Sequence, residues 1–240
     1  MPLKIRSMSN HRVAPILCYV TDRRNLAGAG DRADSAARVE RAIGRAIDAG
    51  ADWIQLREKD LEAQPLEALV CAAVKISRGR ARIFVNDRLD VALAAGADGV
   101  HLGEQSLPIA RVASWRAVAG RHDFAIGASC HSPEAVRAAE RAGADYVFFG
   151  PIFATPSKAS FGPPQGLDRL AAACEGARIP VIAIGGVTES NAEACLAADA
   201  AGIAAIRMFQ GEGDLAGSLT KIHALRSASA DKKLDGASSR

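Results

Sequence analysis

A group of polar side chains follows one apolar segment of this sequence and has the residue types needed to bind a phosphorylated ligand. The group reads Gln55-Leu56-Arg57-Glu58-Lys59. Side chains alternate along an extended segment, so Gln55, Arg57 and Lys59 are expected on one side of it. Cations directed into a protein need an anionic partner, and a diphosphate would supply one. In the alternative interpretation, Arg57, Glu58 and Lys59 form a solvated ion-pair patch of little energetic value.

Carboxylates and a histidine follow other apolar segments. Asp87, next to Asn86, and Glu104 are candidate ligands for Mg²⁺, which favours carboxylates together with substrate phosphate oxygens. Asp87 has an equally good interpretation as a cap of the following helix. Histidine ionises near neutral pH, so His131, two residues after Ser129, is a candidate general acid or base. A histidine beside a helix start also fits a purely structural role.

A second anion-binding feature is expected later in the chain. Gly185-Gly186 stands between an apolar segment and a helix starting near Thr188, which is a common phosphate cradle made of backbone N–H groups and a helix N-terminus. A tight turn alone would also explain the two glycines. Lys158, in the loop Thr155-Pro156-Ser157-Lys158, could close over a ligand from above. Arg207, after the last apolar segment, either adds charge or points outward.

A fourfold repeat indicates which elements position these groups. Its copies are Ala49-Gly50-Ala51-Asp52, Ala95-Gly96-Ala97-Asp98, Ala142-Gly143-Ala144-Asp145 and the degenerate Ala198-Asp199-Ala200-Ala201, each leading into an apolar segment. Glycine can end a helix in the left-handed conformation without a Cβ penalty. The first three glycines are 46 and 47 residues apart, which is room for two strand–helix units. Four copies therefore predict eight units, that is, a single-domain α/β protein with a closed (β/α)8 TIM barrel.

The segments between the repeats agree with a barrel. Further strands are predicted over 16–21, 83–86, 124–129 and 181–184, where continuous apolar runs are typical of strands buried on both faces. Helices are predicted near 62–78, 107–119, 132–142, 166–176, 188–198 and 213–225, and along Val39, Ile43 and Ile47. The barrel is assigned to 16–226, with an N-terminal extension over 1–15 and a disordered tail over 227–240. An open doubly wound sheet competes, but no GxGxxG follows the first strand. In a barrel, the candidate groups would meet at the C-terminal ends of the strands.

Composition limits the class of protein. The 240 residues suit one barrel, which typically has ~250. A net charge of +3 does not argue for a nucleic-acid partner but suits anionic substrates. The five cysteines form no CxxC pair, so we expect reduced thiols in a cytoplasmic protein rather than zinc or disulfides. No signal peptide and no membrane span are expected. A homo-oligomer is compatible with the sequence but not indicated by it.

These motifs together resemble the thiamine phosphate synthase family and its close relatives, the thiazole tautomerases. The resemblance runs in order from about residue 16 to 210. It rests on Tyr19-Val20-Thr21-Asp22, Gln55-Leu56-Arg57-Glu58-Lys59, Val85-Asn86-Asp87, His101-Leu102-Gly103, Gly127-Ala128-Ser129-Cys130-His131, Gly143-Ala144-Asp145-Tyr146-Val147, 150–158 and 182–187. These motifs are specific to the superfamily, and they do not separate the two activities.

The resemblance implies a synthase that couples 4-amino-2-methyl-5-hydroxymethylpyrimidine diphosphate to thiazole phosphate. Diphosphate leaves, and the thiazole nitrogen captures the resulting pyrimidine carbocation. The residues implied to hold the pyrimidine diphosphate are Gln55, Arg57, Lys59, Asn86 and Lys158, with Asp87 on Mg²⁺ and Ser129 near the pyrimidine. The thiazole phosphate would be held by Thr155, Ser157, Gly185, Gly186 and the backbone at Ile206 and Arg207. The catalytic set would comprise Arg57, Lys59, Lys158, Ser129 and His131.

Two positions depart from the synthase pattern. Ser106 stands where the synthases usually have a second metal-ligand aspartate, and Glu104 is the nearby carboxylate that could substitute. Arg207 stands where the family usually has a small residue. Ser106, together with His131, which matches the proposed acid/base of the tautomerases, favours a metal-independent thiazole tautomerase acting on carboxythiazole phosphate as the alternative. A non-catalytic thiazole phosphate-binding protein is a third hypothesis, and a sugar-phosphate epimerase is a disfavoured fourth.

Overall fold

The computed structural model describes residues 14–26, 32–155 and 163–225, and its strands form a closed barrel in which all neighbours are parallel. The strands are β1 (Ile16–Val20), β2 (Trp53–Leu56), β3 (Arg82–Asn86), β4 (Gly99–Leu102), β5 (Ala125–Cys130), β6 (Tyr146–Phe149), β7 (Val181–Ile184) and β8 (Gly202–Ala205). Each strand pairs with the next along the chain, and β8 closes onto β1 with Gly202 opposite Ile16. The predicted (β/α)8 barrel is confirmed, and the open doubly wound alternative is wrong.

Helices alternate with the strands. They are α1 (Arg32–Asp48), α2 (Ala63–Ser77), α3 (Leu89–Ala94), α4 (Ile109–Val118), α5 (Pro133–Arg141), α6 (Gly166–Glu175), α7 (Glu189–Ala197) and α8 (Arg207–Gln210), followed by α9 over 215–225. The predicted bounds of the longer helices hold to within two residues. The sequence does not predict α3, α8 or the 3₁₀ turn Arg23–Asn25, because such short helices show no clear periodicity.

The repeat places a left-handed residue just after four helices, α1, α3, α5 and α7. Gly50, Gly96 and Gly143 have φ angles of +102°, +68° and +99°. In the degenerate copy Asp199 adopts the same region, with φ of +64°. Aspartate tolerates this conformation better than most residues with a Cβ. The helix-ending role predicted for the repeat is therefore confirmed in all four copies.

The aspartates of the repeat have a structural function that the sequence alone does not reveal. Asp52, Asp98 and Asp145 each precede an even-numbered strand. Their Oδ2 atoms accept hydrogen bonds of 2.7–2.8 Å from backbone N–H groups of the preceding odd strand, namely those of Leu17, Ile83 and Ile126. Each carboxylate thus ties two neighbouring strands together at their N-terminal ends. The repeat stabilises the end of the barrel opposite the predicted site.

Alternation of side chains along the strands divides the core into two clusters. One lies between the strands and the helices, and the other fills the barrel interior with rings that include Trp53, Phe84, Tyr146 and Phe148. The Trp53 and Tyr146 ring centroids are 4.8 Å apart. Two residues beyond Trp53 along β2, the buried interior position is the polar Gln55. The interior therefore changes from aromatic to partly polar toward the C-terminal ends of the strands.

Two properties of the whole chain bear on its class. Across the described ranges, none of the helices combines the length and apolar character needed to cross a membrane. None of the five cysteines forms a disulfide, and Cys18, Cys130 and Cys195 are buried. Burial raises the pKa of Cys130 to about 12, so this thiol stays protonated and is a poor nucleophile.

Replacing Gly202 with alanine is expected to destabilise the closure of the barrel. A Cβ there would lie 2.1 Å from the carbonyl oxygen of Ile16, and a strand backbone in a packed barrel has little room to move aside. We expect the free energy of unfolding, measured by urea denaturation, to fall by about 3 kcal/mol. Gly213→Ala is the control, because nothing lies within 4 Å of a Cβ added there. Equal stabilities for the two variants would contradict this account of closure.

Candidate active site

The C-terminal ends of β2 and β3 bring together two candidate ligand-binding amides. Gln55 lies in β2 and is only 2% exposed. Its Nε2 donates a 3.2 Å hydrogen bond to Oδ1 of Asn86, the last residue of β3. Because each amide restrains the other, both are fixed at the mouth of the barrel. The structure therefore joins two residues that the sequence predicts to share one ligand.

Arg57 and Lys59 lie beyond β2, which ends at Leu56. Arg57 is half-buried, and its backbone N–H donates to Oγ1 of Thr21, just after β1, at 3.0 Å. Lys59 is exposed and begins a turn. The expectation that Gln55, Arg57 and Lys59 alternate along one extended segment is wrong for Lys59, because the chain turns after Glu58. Arg57 directly follows β2, and the direction of its side chain toward the barrel mouth stays a prediction.

Glu58 is a buried carboxylate, 4% exposed, that the sequence does not predict. Its Oε1 accepts from Oγ1 of Thr21 at 2.6 Å, and both of its oxygens accept from the backbone N–H of Arg23 at 3.2 and 3.1 Å. Burial raises the pKa of Glu58 above its ordinary value, while these donors act in the opposite direction. The interpretation of Arg57, Glu58 and Lys59 as a solvated ion-pair patch is therefore wrong, since Glu58 is buried against the loop after β1.

An ion-pair network at the surface extends the Glu58 contact. Both terminal nitrogens of Arg23 bind the carboxylate of Asp60, which also lies 2.8 Å from Nη2 of Arg24. The hydrogen bonds from Arg23 lower the pKa of Asp60 to about 2. The loops after β1 and β2 are thereby held together through Glu58 and Asp60, and Arg57 directly precedes Glu58.

Asp87 and Glu104, the predicted metal ligands, lie in the loops after β3 and β4. Asp87 is exposed with φ of +67°, and Arg88 occupies the N-cap position of α3, so the capping interpretation of Asp87 is wrong. Glu104 is exposed, with Oε1 3.9 Å from Nε2 of His131. In the described parts of the chain, no three His, Cys, Asp or Glu side chains are grouped to hold a metal alone. The carboxylates present fit a Mg²⁺ ion that takes most of its ligands from substrate and water, as Mg²⁺ commonly does.

Ser106 and His131, the residues behind the tautomerase alternative, both have local partners. Oγ of Ser106 accepts from the N–H of Gly103 at 2.7 Å and so closes the turn after β4. Nδ1 of His131 is hydrogen-bonded to the carbonyl oxygen of Gly150. A carbonyl only accepts, so Nδ1 carries the proton, and in the neutral ring Nε2 is the acceptor. His131 is therefore oriented between the ends of β5 and β6.

Ser129 is half-buried in β5 and contacts a residue for which the sequence predicts no individual role. Its Oγ lies 2.9 Å from Nε2 of His101 in β4. Nδ1 of the same imidazole lies 3.3 Å from the hydroxyl of Tyr146 in β6. A histidine within an apolar strand is the sequence signal that could have drawn attention to this cluster.

Gly185 and Gly186 follow β7 and pack against the loop after β6. Their φ angles are +93° and +69°, and a Cβ on Gly186 would lie 2.7 Å from Cβ of Phe153. The N-terminus of α7 is closed by a capping box in which the Thr188 N–H donates to Oδ1 of Asn191 at 2.8 Å. This contact uses the N–H of Thr188, the N-cap residue, and the contribution of the α7 N-terminus to a phosphate cradle stays a prediction. The glycine loop itself stays a candidate.

Arg207 reaches from the end of β8 to the loop after β6. Its Nη2 donates to Oγ1 of Thr155 at 3.2 Å, so it does not simply point outward. Arg207 also begins α8, and a short extra helix after the last strand frequently forms part of the phosphate site in TIM barrels. Ile206, the residue before α8, is half-buried. Ser157 and Lys158 lie outside the described residues.

Comparisons with known proteins show which family the chain resembles in sequence and in fold. Residues 26–209 match the family described as thiamine monophosphate synthase. The chain is 42% identical over 194 residues to the thiamine-phosphate synthase of Chlorobium limicola, covering 80% of this chain and 85% of that protein. It is 37% identical over 219 residues to the thiamine-phosphate synthase of Roseiflexus sp. strain RS-1, covering 91% and 88%. The solved structure of thiamine phosphate pyrophosphorylase from Pyrococcus furiosus has a TM-score of 0.74 at 32% identity, covering 89% and 96%. By fold and sequence, the chain belongs to the thiamine monophosphate synthase family.

Proposed function

We propose that this protein is a transferase that couples 4-amino-2-methyl-5-hydroxymethylpyrimidine diphosphate to thiazole phosphate with release of diphosphate, the thiamine phosphate synthase reaction of thiamine biosynthesis. The observation that carries the proposal is the grouping of Gln55, Arg57, Asn86 and Asp87 at the adjacent ends of β2 and β3. An isomerase acting on carboxythiazole phosphate has no evident need for two amides, a guanidinium and a carboxylate together. Membership of the family supports the same activity.

Arg57 would supply positive charge where the diphosphate departs. Negative charge builds on the diphosphate as its bond to the pyrimidine methylene breaks, and a cation held in place beforehand stabilises that charge. Lys59 and Lys158 would approach the same group, Lys59 from the exposed turn after β2. The Gln55–Asn86 pair would hold the pyrimidine diphosphate in a reactive orientation.

Asp87 and Glu104 would hold Mg²⁺ between the ends of β3 and β4. The ion, when bound, supplies further neutralisation of the diphosphate charge. Ser106 would contribute by shaping the turn that carries Glu104, because its oxygen already accepts from the N–H of Gly103. Glu104, two residues before Ser106, would thus take the place of the missing aspartate.

The thiazole phosphate would bind on the opposite side of the mouth. Gly185 and Gly186 can bring backbone N–H groups close to an anion because they lack side chains. Thr155 and Ser157 would add hydroxyl groups, and the backbone at Ile206 and Arg207 would complete the site. The Arg207 side chain, bonded to Thr155, lies where it can add a charge that a small residue cannot supply.

The wider setting follows from the same chemistry. The ligands of this protein would be small phosphorylated molecules rather than nucleic acid, in keeping with a net charge of only +3. Cysteines that form no disulfide are typical of a reducing compartment, so we place the protein in the cytoplasm.

The purified protein, given both substrates and Mg²⁺, is expected to form thiamine phosphate and diphosphate in equal amounts. Chelation of the metal, or Asp87→Asn, should lower the rate by at least about 10-fold, because the leaving group then lacks part of its neutralisation. Product can be followed by chromatography and diphosphate by a coupled assay. Absence of product at high enzyme concentration would reject the proposal.

Thiazole tautomerase activity is the second candidate, because Gly150 orients the His131 imidazole with Nε2 as its acceptor. The same preparation given carboxythiazole phosphate without metal distinguishes it: isomerisation that disappears in His131→Ala would support the tautomerase. Tight binding of thiazole phosphate with no turnover of either substrate would instead support a non-catalytic binding protein.

A further inference from the structure

A buried chain of hydrogen bonds lies beneath Ser129, inside the barrel. It runs from the Tyr146 hydroxyl to Nδ1 of His101 over 3.3 Å, and from Nε2 of His101 to Oγ of Ser129 over 2.9 Å. Tyr146 and His101 are each 1% exposed, whereas Ser129 is half-buried at the mouth. The chain therefore links the aromatic interior of the barrel to the residue expected beside the pyrimidine.

The surroundings determine how Tyr146 uses its hydroxyl. Its ring packs against Trp53 and Phe84, at centroid distances of 4.8 and 5.2 Å. Burial raises the pKa of Tyr146 well above 10, so the hydroxyl keeps its proton. Within the described part of the chain, Nδ1 of His101 is the hydrogen-bond partner of this hydroxyl. A buried donor left without an acceptor costs about 1–3 kcal/mol, so Tyr146 donates to Nδ1.

That donation determines the tautomer of His101 and the direction of the Ser129 hydroxyl. A neutral imidazole has one N–H donor and one acceptor nitrogen. Because Nδ1 accepts from Tyr146, Nε2 carries the proton and donates to Oγ of Ser129. Ser129 then accepts from within the barrel, and its own O–H is free to donate toward the mouth.

Gly127 provides independent evidence that the chain is built into the fold. It lies in β5, two residues before Ser129, and it is opposite both Tyr146 in β6 and His101 in β4. A Cβ on Gly127 would lie 2.1 Å from Cζ of Tyr146. The absence of a side chain here allows the phenol ring to sit where its hydroxyl reaches His101.

We propose that His101 and Tyr146 are positioning residues that hold the Ser129 hydroxyl as a hydrogen-bond donor toward a ring nitrogen of the bound pyrimidine. The contact with the pyrimidine rests on the proposed function, whereas the tautomer of His101 does not. The arrangement favours heteroaromatic rings with an acceptor nitrogen, because a ring without one leaves the Ser129 donor unpaired.

Nuclear magnetic resonance of the full-length protein tests the tautomer without any substitution. Long-range ¹H–¹⁵N correlation spectra of ¹⁵N-histidine-labelled protein distinguish protonated from unprotonated ring nitrogens, and His101→Gln identifies the relevant signals. We expect a neutral His101 protonated at Nε2. Tyr146→Phe should shift these signals toward the other tautomer, while Tyr19→Phe, which removes a buried hydroxyl bonded to Gln210 instead, should leave them unchanged. A His101 protonated at Nδ1 in the unmodified protein would overturn the proposal.

A double-mutant cycle tests whether Tyr146 acts through Ser129. We expect Ser129→Ala to lower kcat/KM for the pyrimidine diphosphate by about 10-fold and Tyr146→Phe by about 3-fold, with no further loss when Tyr146→Phe is added to Ser129→Ala. Losses that multiply in the double variant would show a general structural effect and overturn the positioning role. If the unmodified protein makes no thiamine phosphate, the proposed function fails, and the tautomer measurement alone decides the positioning of Ser129.

Discussion

Arg57→Ala is expected to lower kcat/KM for the pyrimidine diphosphate by about 10²- to 10³-fold, the range seen when a fixed charge-stabilising donor is removed. Among the described residues, Arg57 donates a hydrogen bond to Thr21 through its backbone N–H, which the substitution retains. The guanidinium is therefore available to a ligand, and its loss should leave the fold intact. The kcat/KM of Arg57→Lys should lie between that of Arg57→Ala and that of the unmodified protein, because lysine keeps the charge but not the planar guanidinium that matches a phosphate.

Steady-state kinetics and a titration with inorganic diphosphate would check this expectation. Arg57→Ala should weaken diphosphate binding as well as turnover, and its urea denaturation should match that of the unmodified protein. Arg141→Ala is the matched control, because this exposed arginine ends α5, at the far end of the barrel. Unchanged kinetics in Arg57→Ala would remove the cation on which the proposed diphosphate site depends.

The barrel could be predicted from the sequence because its signals are local. Each copy of the repeat contains, within a few residues, the glycine that ends a helix and the first residues of a buried strand. Four such copies suffice to count the strands without any knowledge of long-range contacts. Even the degenerate copy keeps the same backbone, since Asp199 adopts the left-handed conformation in place of glycine.

The parts of the site that could not be predicted depend on contacts between distant residues. Glu58 reads as one more charge in a charged segment, and its burial follows from Thr21 and Arg23, which lie 37 and 35 residues away. Lys59 does not continue the extended segment expected after β2, because the chain turns at residues 59–60. His101 has its role only because β4, β5 and β6 bring it between Ser129 and Tyr146. Residue type and spacing identify such groups as polar, but the three-dimensional register decides what they contact.

The capped start of α7 illustrates the same limit at the second phosphate site. The sequence places two glycines before a helix, which is the usual pattern for an anion at a helix N-terminus. The side chain of Asn191 accepts from the N–H of Thr188, just before that helix. The sequence does not reveal this capping contact, and the anion-binding role of the glycine loop and the helix start stays a prediction.

Glu58→Ala is expected to damage both the stability and the activity of this protein. The substitution leaves the Thr21 hydroxyl and the Arg23 N–H without the acceptor they share, and breaking a buried network of this kind costs about 3 kcal/mol. The Thr21 hydroxyl also accepts from the N–H of Arg57, so a displaced Thr21 should displace Arg57 as well. We expect kcat/KM to fall by at least about 10-fold even at temperatures where the variant is fully folded.

Glu58→Gln separates the charge of this residue from its shape, and the comparison has a predicted pH dependence. Burial raises the pKa of Glu58 above its ordinary value of 4.5, so the folded protein binds this proton more tightly than the unfolded chain does. The stability that the residue contributes is therefore fully present below the unfolded pKa and is lost as pH rises through the folded one. The neutral glutamine has no such loss. In urea denaturation between about pH 4 and pH 7, the stability of Glu58→Gln relative to the unmodified protein should thus improve as pH rises, because the other carboxyl groups cancel in the difference. A difference that is constant, or that changes with the opposite sign, would mean that the hydrogen bonds from Thr21 and Arg23 outweigh burial, and that the folded state prefers Glu58 charged.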